Sequence, residues 1–167
     1  MFVIFQKRVF QKNKRTKTMN DLSPIEFKKR LPDKKAILGI DYGTKRIGVA
    51  ISDLLWMTAT PLKIVEKKED LDKIILTRDI GGFVVGLPKQ MNGQEGAQAE
   101  LTRQWAEKLQ KKYALPILFW DERLSSSAVS RLLIDGADVS RKRQKEVLDK
   151  MAASYILQGA LDLLSRL

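Results

Sequence analysis

Three carboxylates far apart in the chain, Asp41, Glu122 and Asp149, are the residues whose types and settings could do chemistry. The 167 residues contain no histidine and no cysteine. That removes imidazole bases and the triads built on them, thiol nucleophiles, thiolate-zinc sites and disulfides. Hydrolysis would have to run on carboxylates, lysines, hydroxyls or hard cations such as Mg2+ or Mn2+, which take oxygen ligands.

Each acid has a structural alternative. Asp41 closes the apolar run AILGID, where open α/β sheets bind ligands, and Gly43 two residues on permits close approach; an aspartate that only starts a turn reads almost as well. Glu122 directly follows PILFWD. Alternation sends Asp121 and Glu122 to opposite sides, so only one of them can share a cleft with Asp41. Taken alone, Glu122 reads better as a solvated loop charge. Asp149 shares a helical line with Ala152, Ala153 and Ile156, which should press on a sheet, and an unpaired carboxylate beside a buried face is costly. A salt bridge to Arg141, Lys142, Arg143 or Lys145 is its alternative. The combination says more than its parts: clustered carboxylates repel unless cations neutralise them, and two cations about 3.5 to 4 Å apart can activate water and stabilise the leaving oxygen of a phosphoryl displacement.

The elements that would position these acids follow from periodicity. Residues 36–41 and 47–53 are apolar runs flanking YGTKR, an antiparallel pair around a turn, and residues 61–66 make a third strand. A helix over 67–80, punctuated by Gly81 and Gly82, leads to a short buried strand at 83–86. After a polar loop, a helix over 95–113 presents Ala97, Leu101, Trp105 and Leu109 on one face. Residues 116–121 form a fifth strand, 125–134 a short helix, 137–143 a basic connection and 144–164 the last helix. Three hairpin strands followed by helical crossovers predict an α/β fold with a mixed five-stranded sheet flanked by helices. Leu55, Trp56 and Met57, after the second strand, read as core rather than as an interface.

The length fits one domain, and 44% apolar residues suffice for its core. The net charge of +11 is unevenly spread. Residues 1–35 hold 11 Lys and Arg against 3 Asp and Glu, leaving 20 basic and 17 acidic residues for the rest. The body is thus only weakly basic, and composition alone is thin support for a nucleic-acid partner. Residues 1–34 are expected to be a basic, flexible N-terminal extension, with translation starting at Met1 or Met19; a basic arm on nucleic acid and a transit peptide are the other readings, the latter weakened by the absence of serine from the first twenty residues. Residues 35–167 are expected to form the domain. No apolar run suits a membrane span, so a soluble protein is expected, as monomer or homodimer.

IDYGTKRIGVAISD, FVVGLPKQMNGQEG, DERLSSSAV and DKMAASYIL, in that order, resemble the successive motifs of the bacterial YqgF family, also called RuvX, within the ribonuclease-H-like superfamily. The resemblance covers about residues 36–164. It implies a ribonuclease-H-like fold and a cytoplasmic, metal-dependent nuclease, acting in 5′-end maturation of the 16S rRNA precursor or on four-way DNA as a Holliday junction resolvase. It also implies Asp41, Glu122 and Asp149 as the catalytic, metal-holding acids, with Mg2+ or Mn2+. Lys45, Arg46 and Arg123 stand beside those acids as cations able to meet phosphates, and Arg141 and Arg143 add a basic stretch beside the last helix. A non-catalytic RNA-binding assembly factor would use the same basic residues. Many superfamily members carry the second acid on the strand that pairs with the first. Here that strand ends Gly86-Leu87-Pro88, so Glu122 would start two strand spacings, roughly 10 Å, from Asp41, and only an inward-leaning glutamate could share an ion with it.

Overall fold

The computed structural model describes residues 21–125 and 141–167, and within the last helix the side chains of Leu148 and of residues 151 onward. Its elements are α1 (Pro24–Arg30), β1 (Ala36–Tyr42), β2 (Ile47–Ser52), β3 (Ala59–Val65), α2 (Lys68–Thr77), β4 (Ile80–Leu87), α3 (Ala97–Tyr113), β5 (Ile117–Asp121) and α4 (Arg141–Leu164). The strands form one sheet in the order β3-β2-β1-β4-β5. The first three pair antiparallel, and β4 and β5 join β1 in parallel, the mixed five-stranded sheet flanked by helices expected from the periodicities. The expected helix over 125–134 falls almost wholly outside the described residues, as do residues 137–140 of the connection after it, whereas residues 141–143 belong to α4 rather than to that connection.

Strand alternation divides the core into two layers. Leu38 and Ile40 of β1, Phe83 and Val85 of β4 and Ile117 of β5 face α2 and α3. Ile37, Val84 and Leu118 face α4, meeting Ala153, Ile156, Leu157, Ala160 and Leu161. Helix α4 lies unusually low on β1: a Cβ on Gly39 would stand 2.6 Å from Leu157 Cβ and 2.9 Å from the Ala153 carbonyl oxygen. It also grips the β2–β3 hairpin through Gln158, which accepts from the Ala59 amide at 2.8 Å and donates to the Met57 carbonyl at 3.0 Å.

Several expectations change in contact with tertiary packing. Residues 22–31, assigned by sequence to the extension, include α1, and they bury Leu22, Phe27 and Leu31 in the α4-side core. The Ser23–Glu26 capping box and Pro24 at the first turn specify this helix locally, and burial of Phe27 is worth roughly 1.5–3 kcal/mol. Gly81 and Gly82 do not punctuate the chain but lie inside β4. A Cβ at Gly82 would come within 2.7 Å of Leu31, so the glycines make room for α1 and the turn after it.

On α3 the buried face is Ala99, Thr102, Ala106 and Leu109; Ala97 and Leu101 are exposed, and Trp105 is half-buried. Strict steps of four drift by 40° each around a helix, so the small residues Ala99 and Ala106 mark the true contact stripe. The β2–β3 turn also departs from expectation. Trp56 packs on the core and donates its indole N–H to the Lys35 carbonyl at 2.8 Å, but Leu55 and Met57 are exposed.

Candidate active site

At the carboxyl end of β1 the pleat decides which acid faces which layer. Ile37 and Gly39 point toward α4, so Asp41 does too, whereas Tyr42 points to the other layer and stacks on Trp105 with ring centroids 4.7 Å apart. On β5, Leu118 and Trp120 belong to the α4 side and Phe119 to the α3 side. The alternation continues through Asp121, on the α3 side, to Glu122, on the same side as Asp41. Glu122 is anchored by its amide, which donates to the Leu87 carbonyl at 3.3 Å.

The intervening strand explains how a glutamate two strands away reaches toward Asp41. Ile40 pairs with Val85, and Gly86 pairs with Trp120, so Gly86 is the residue between the two acids on this face. A Cβ there would stand 2.6 Å from Glu122 Oε1 and 2.5 Å from Ile156 Cδ1. Glu122 therefore leans inward across β4, through the space that glycine leaves open. The half-buried Glu122 has its pKa raised from 4.5 to about 7, by burial first, then by the charge of Asp41, then by that of Asp121. A carboxylate whose ionisation is opposed by burial and by a neighbouring acid forms a site that favours a cation.

Asp121, one residue earlier, has the opposite fate. The Arg123 guanidinium and amide hydrogen-bond to it, with Nη2 at 2.6 Å from Oδ2, and hold its pKa below the usual aspartate value. Arg123 also reaches the Met91 carbonyl at 3.4 Å and thereby ties the end of β5 to the loop before α3. Farther along that loop, Glu95 is bound by Arg103 at 2.6 Å, and Arg103 lies over the Phe119 ring at 4.7 Å.

Lys45 and Arg46 sit in the β1–β2 turn and line, with Asp41 and Thr44, an open cavity of about 290 Å³. The turn closes through the Gly43 amide, which donates to the Arg46 carbonyl at 3.0 Å; a Cβ on Gly43 would stand 2.7 Å from that oxygen. The glycine noted in the sequence thus admits the chain's own backbone.

Asp149 lies on α4, one turn before Ala153. The direction of the helix is fixed by its other end. The Leu164 carbonyl accepts from Lys28 of α1 at 2.8 Å, and α1 covers the start of β4. The N-terminal half of α4 therefore points to the sheet end that carries Asp41 and Glu122. The side chains of Asp149, Arg141 and Arg143 are outside the described residues, and among the described residues no group of three acids gathers around one point.

Of the predicted site residues, the structure brings together Asp41, Glu122, Lys45 and Arg46 at one end of the sheet and engages Arg123 with Asp121. Sequence reasoning missed Gly86 as the opening for Glu122; the signal was the Gly-Leu-Pro strand end, where a bulkier residue would be expected in a buried strand. It also missed the Tyr42–Trp105 pair behind Asp41, which was hidden because it joins a strand end to a distant helix. An all-oxygen donor set fits Mg2+ or Mn2+.

Comparison with known proteins agrees with this architecture. Residues 35–163 match the family model described as RuvX: Holliday junction resolvase. A Rhodobacter capsulatus protein named "Putative pre-16S rRNA nuclease" is 49% identical over 148 residues, covering 85% of this chain and 92% of that one. A Ruegeria protein of the same name is 50% identical over 143 residues, covering 82% and 90%. Among solved structures, T. thermophilus RuvC in complex with Holliday junction substrate aligns with a TM-score of 0.44 and 13% identity over 73% of this chain and 91% of that one. The family model spans the whole sheet and nearly all of α4, and the chain belongs to the RuvX family.

Proposed function

We propose that this protein is a divalent-metal-dependent nuclease that hydrolyses phosphodiester bonds in the 5′-end maturation of the 16S rRNA precursor; relatives aligned over most of their length are named "Putative pre-16S rRNA nuclease". The observation that supports it most is the pair Asp41 and Glu122, facing each other across the side-chain gap at Gly86. Asp41, Glu122 and Asp149 would hold Mg2+ or Mn2+, which when bound activates water and stabilises the charge on the leaving oxygen.

The chain's own groups then have distinct tasks. The carboxylates of Asp41 and Glu122 fix the place of the positive charge relative to the sheet edge. Gly86 keeps the cleft narrow by letting Glu122 lie flat over β4. Lys45 and Arg46, on the turn beside Asp41, meet phosphates flanking the scissile bond. Placing the bond within this frame supplies orientation that free solution lacks.

The family description also supports a second substrate, the four-way DNA junction. Both are tested together by incubating wild type and Asp41→Asn with a structured rRNA precursor and with a four-way junction, each with Mg2+, Mn2+ or chelator. Metal-dependent cleavage of the precursor, lost in Asp41→Asn, is the expected result. Preferred symmetric cleavage of the junction would shift the substrate to DNA, and equal behaviour of the two proteins would indicate a binding role.

A further inference from the structure

The β1–β2 turn is a saddle between two hollows. On one side lies the Asp41 cavity; on the other, toward α3, lies a second cavity of about 200 Å³, and Tyr42, Gly43, Thr44 and Lys45 line both. The second hollow is walled by Lys45 of the turn, Lys68 at the start of α2, Lys108 and Gln104 of α3, and Trp105, with Glu66 as its one acid. Trp105 is held by stacking on Tyr42, at 21° between ring planes, so its orientation is set before anything binds.

We propose that this hollow is a subsite for one unpaired nucleotide of the strand being cut, carried over the turn from the Asp41 cleft. The inference rests on the nuclease reading and adds to it the class of substrate: a nucleic acid with a single-stranded segment next to the cleaved bond. Three lysines against one glutamate fit a passing phosphate, and an indole fixed at the wall fits an unstacked base, since every base offers a face to stack. A fully paired duplex keeps its bases stacked on one another and has none to offer. Beyond the hollow, a further cavity of about 400 Å³ shares Lys68, Trp105 and Lys108 and continues between α2 and α3. There Lys112 is bound to Asp72 and Glu69 is a second acid, so the excess of lysines over acids is greater at the first step past the saddle.

The test uses the full chain with Asp41→Asn, so that nothing is cut, and measures anisotropy with a fluorescent single-stranded RNA and a blunt RNA duplex. Adding Lys68→Glu and Lys108→Glu should weaken single-strand binding by about tenfold or more, lower the slope of log K against log salt by about 1.4, and leave duplex binding within about twofold. Trp105→Ala should weaken single-strand binding by about tenfold with little change in salt slope, and Trp105→Phe should restore most of it. Both lysines are exposed, so their substitution keeps the test valid even if Trp105→Ala destabilises the fold. Unchanged single-strand affinity in the double lysine variant, or an equal loss for the blunt duplex, would overturn the subsite. Failure of the nuclease reading would appear separately, as equal cleavage by wild type and Asp41→Asn.

Discussion

Asp121 and Glu122 are adjacent in sequence and lie on opposite layers of the sheet, with opposite electrostatics. On the α3 layer Asp121 is met by a guanidinium and its pKa falls; on the α4 layer Glu122 is buried near Asp41 and its pKa rises to about 7. A paired acid stabilises the fold and has nothing left to bind. Burial beside Asp41 disfavours the charged form of Glu122 and costs stability in the absence of metal, a cost that a bound cation would relieve. The pleat, one residue at a time, separates a structural carboxylate from a candidate catalytic one.

The largest effect is expected from removing the charge of Asp41. Losing several kcal/mol of metal-borne charge stabilisation should lower single-turnover cleavage on the order of a thousandfold, with the melting temperature in chelator unchanged or raised. A lowered melting temperature with intact cleavage would place Asp41 with the structural acids. Next in size is Gly86→Ala. Its new methyl collides with both Glu122 and Ile156, so a loss of about 1–3 kcal/mol in denaturant unfolding should accompany a large fall in activity. Gly39→Ala is the control: it collides with Leu157 and Ala153 but not with Glu122, so at similar destabilisation it should retain more activity when assayed well below its melting temperature.

Smaller effects sharpen the contrast through pH. Because folding raises the pKa of Glu122, the metal-free protein should be most stable with respect to this group below pH 4.5 and lose up to a few kcal/mol as pH rises toward about 7. Mg2+ or Mn2+ should restore that loss, so the gain in melting temperature on adding metal should be larger at pH 8 than at pH 5.5, and Glu122→Gln should flatten the difference. Asp121 has the reverse sign: its lowered pKa contributes stability that is present above its ordinary value of 3.8 and disappears as pH falls below it. Its ion pair with Arg123 is partly exposed, so Asp121→Asn should cost less than about 1 kcal/mol and change cleavage by no more than a few-fold.

Much of this molecule is written locally. Continuous apolar runs bounded by turn residues fixed β1, β2 and β5, the helical period fixed α3 and the long final helix, and the absence of histidine and cysteine confined the chemistry to oxygen ligands before any contact was known. Alternation alone said that Asp121 and Glu122 part ways, because side-chain direction along a strand is a property of the backbone. The capping box of α1 was not identified within the extension expected over residues 1–34, and whether that helix joins the body depended on where Phe27 finds a partner.

Tertiary structure decided what no spacing encodes. It chose Glu122 rather than Asp121 to face Asp41, placed Gly86 between them so that a glutamate could cross a strand, turned two glycines from punctuation into packing room, and set Trp105 against Tyr42. Each of these depends on contacts between residues distant in the chain. A sequence reports which residues a backbone turns up or down, but the distance between two side chains is fixed only when other elements pack between and around them.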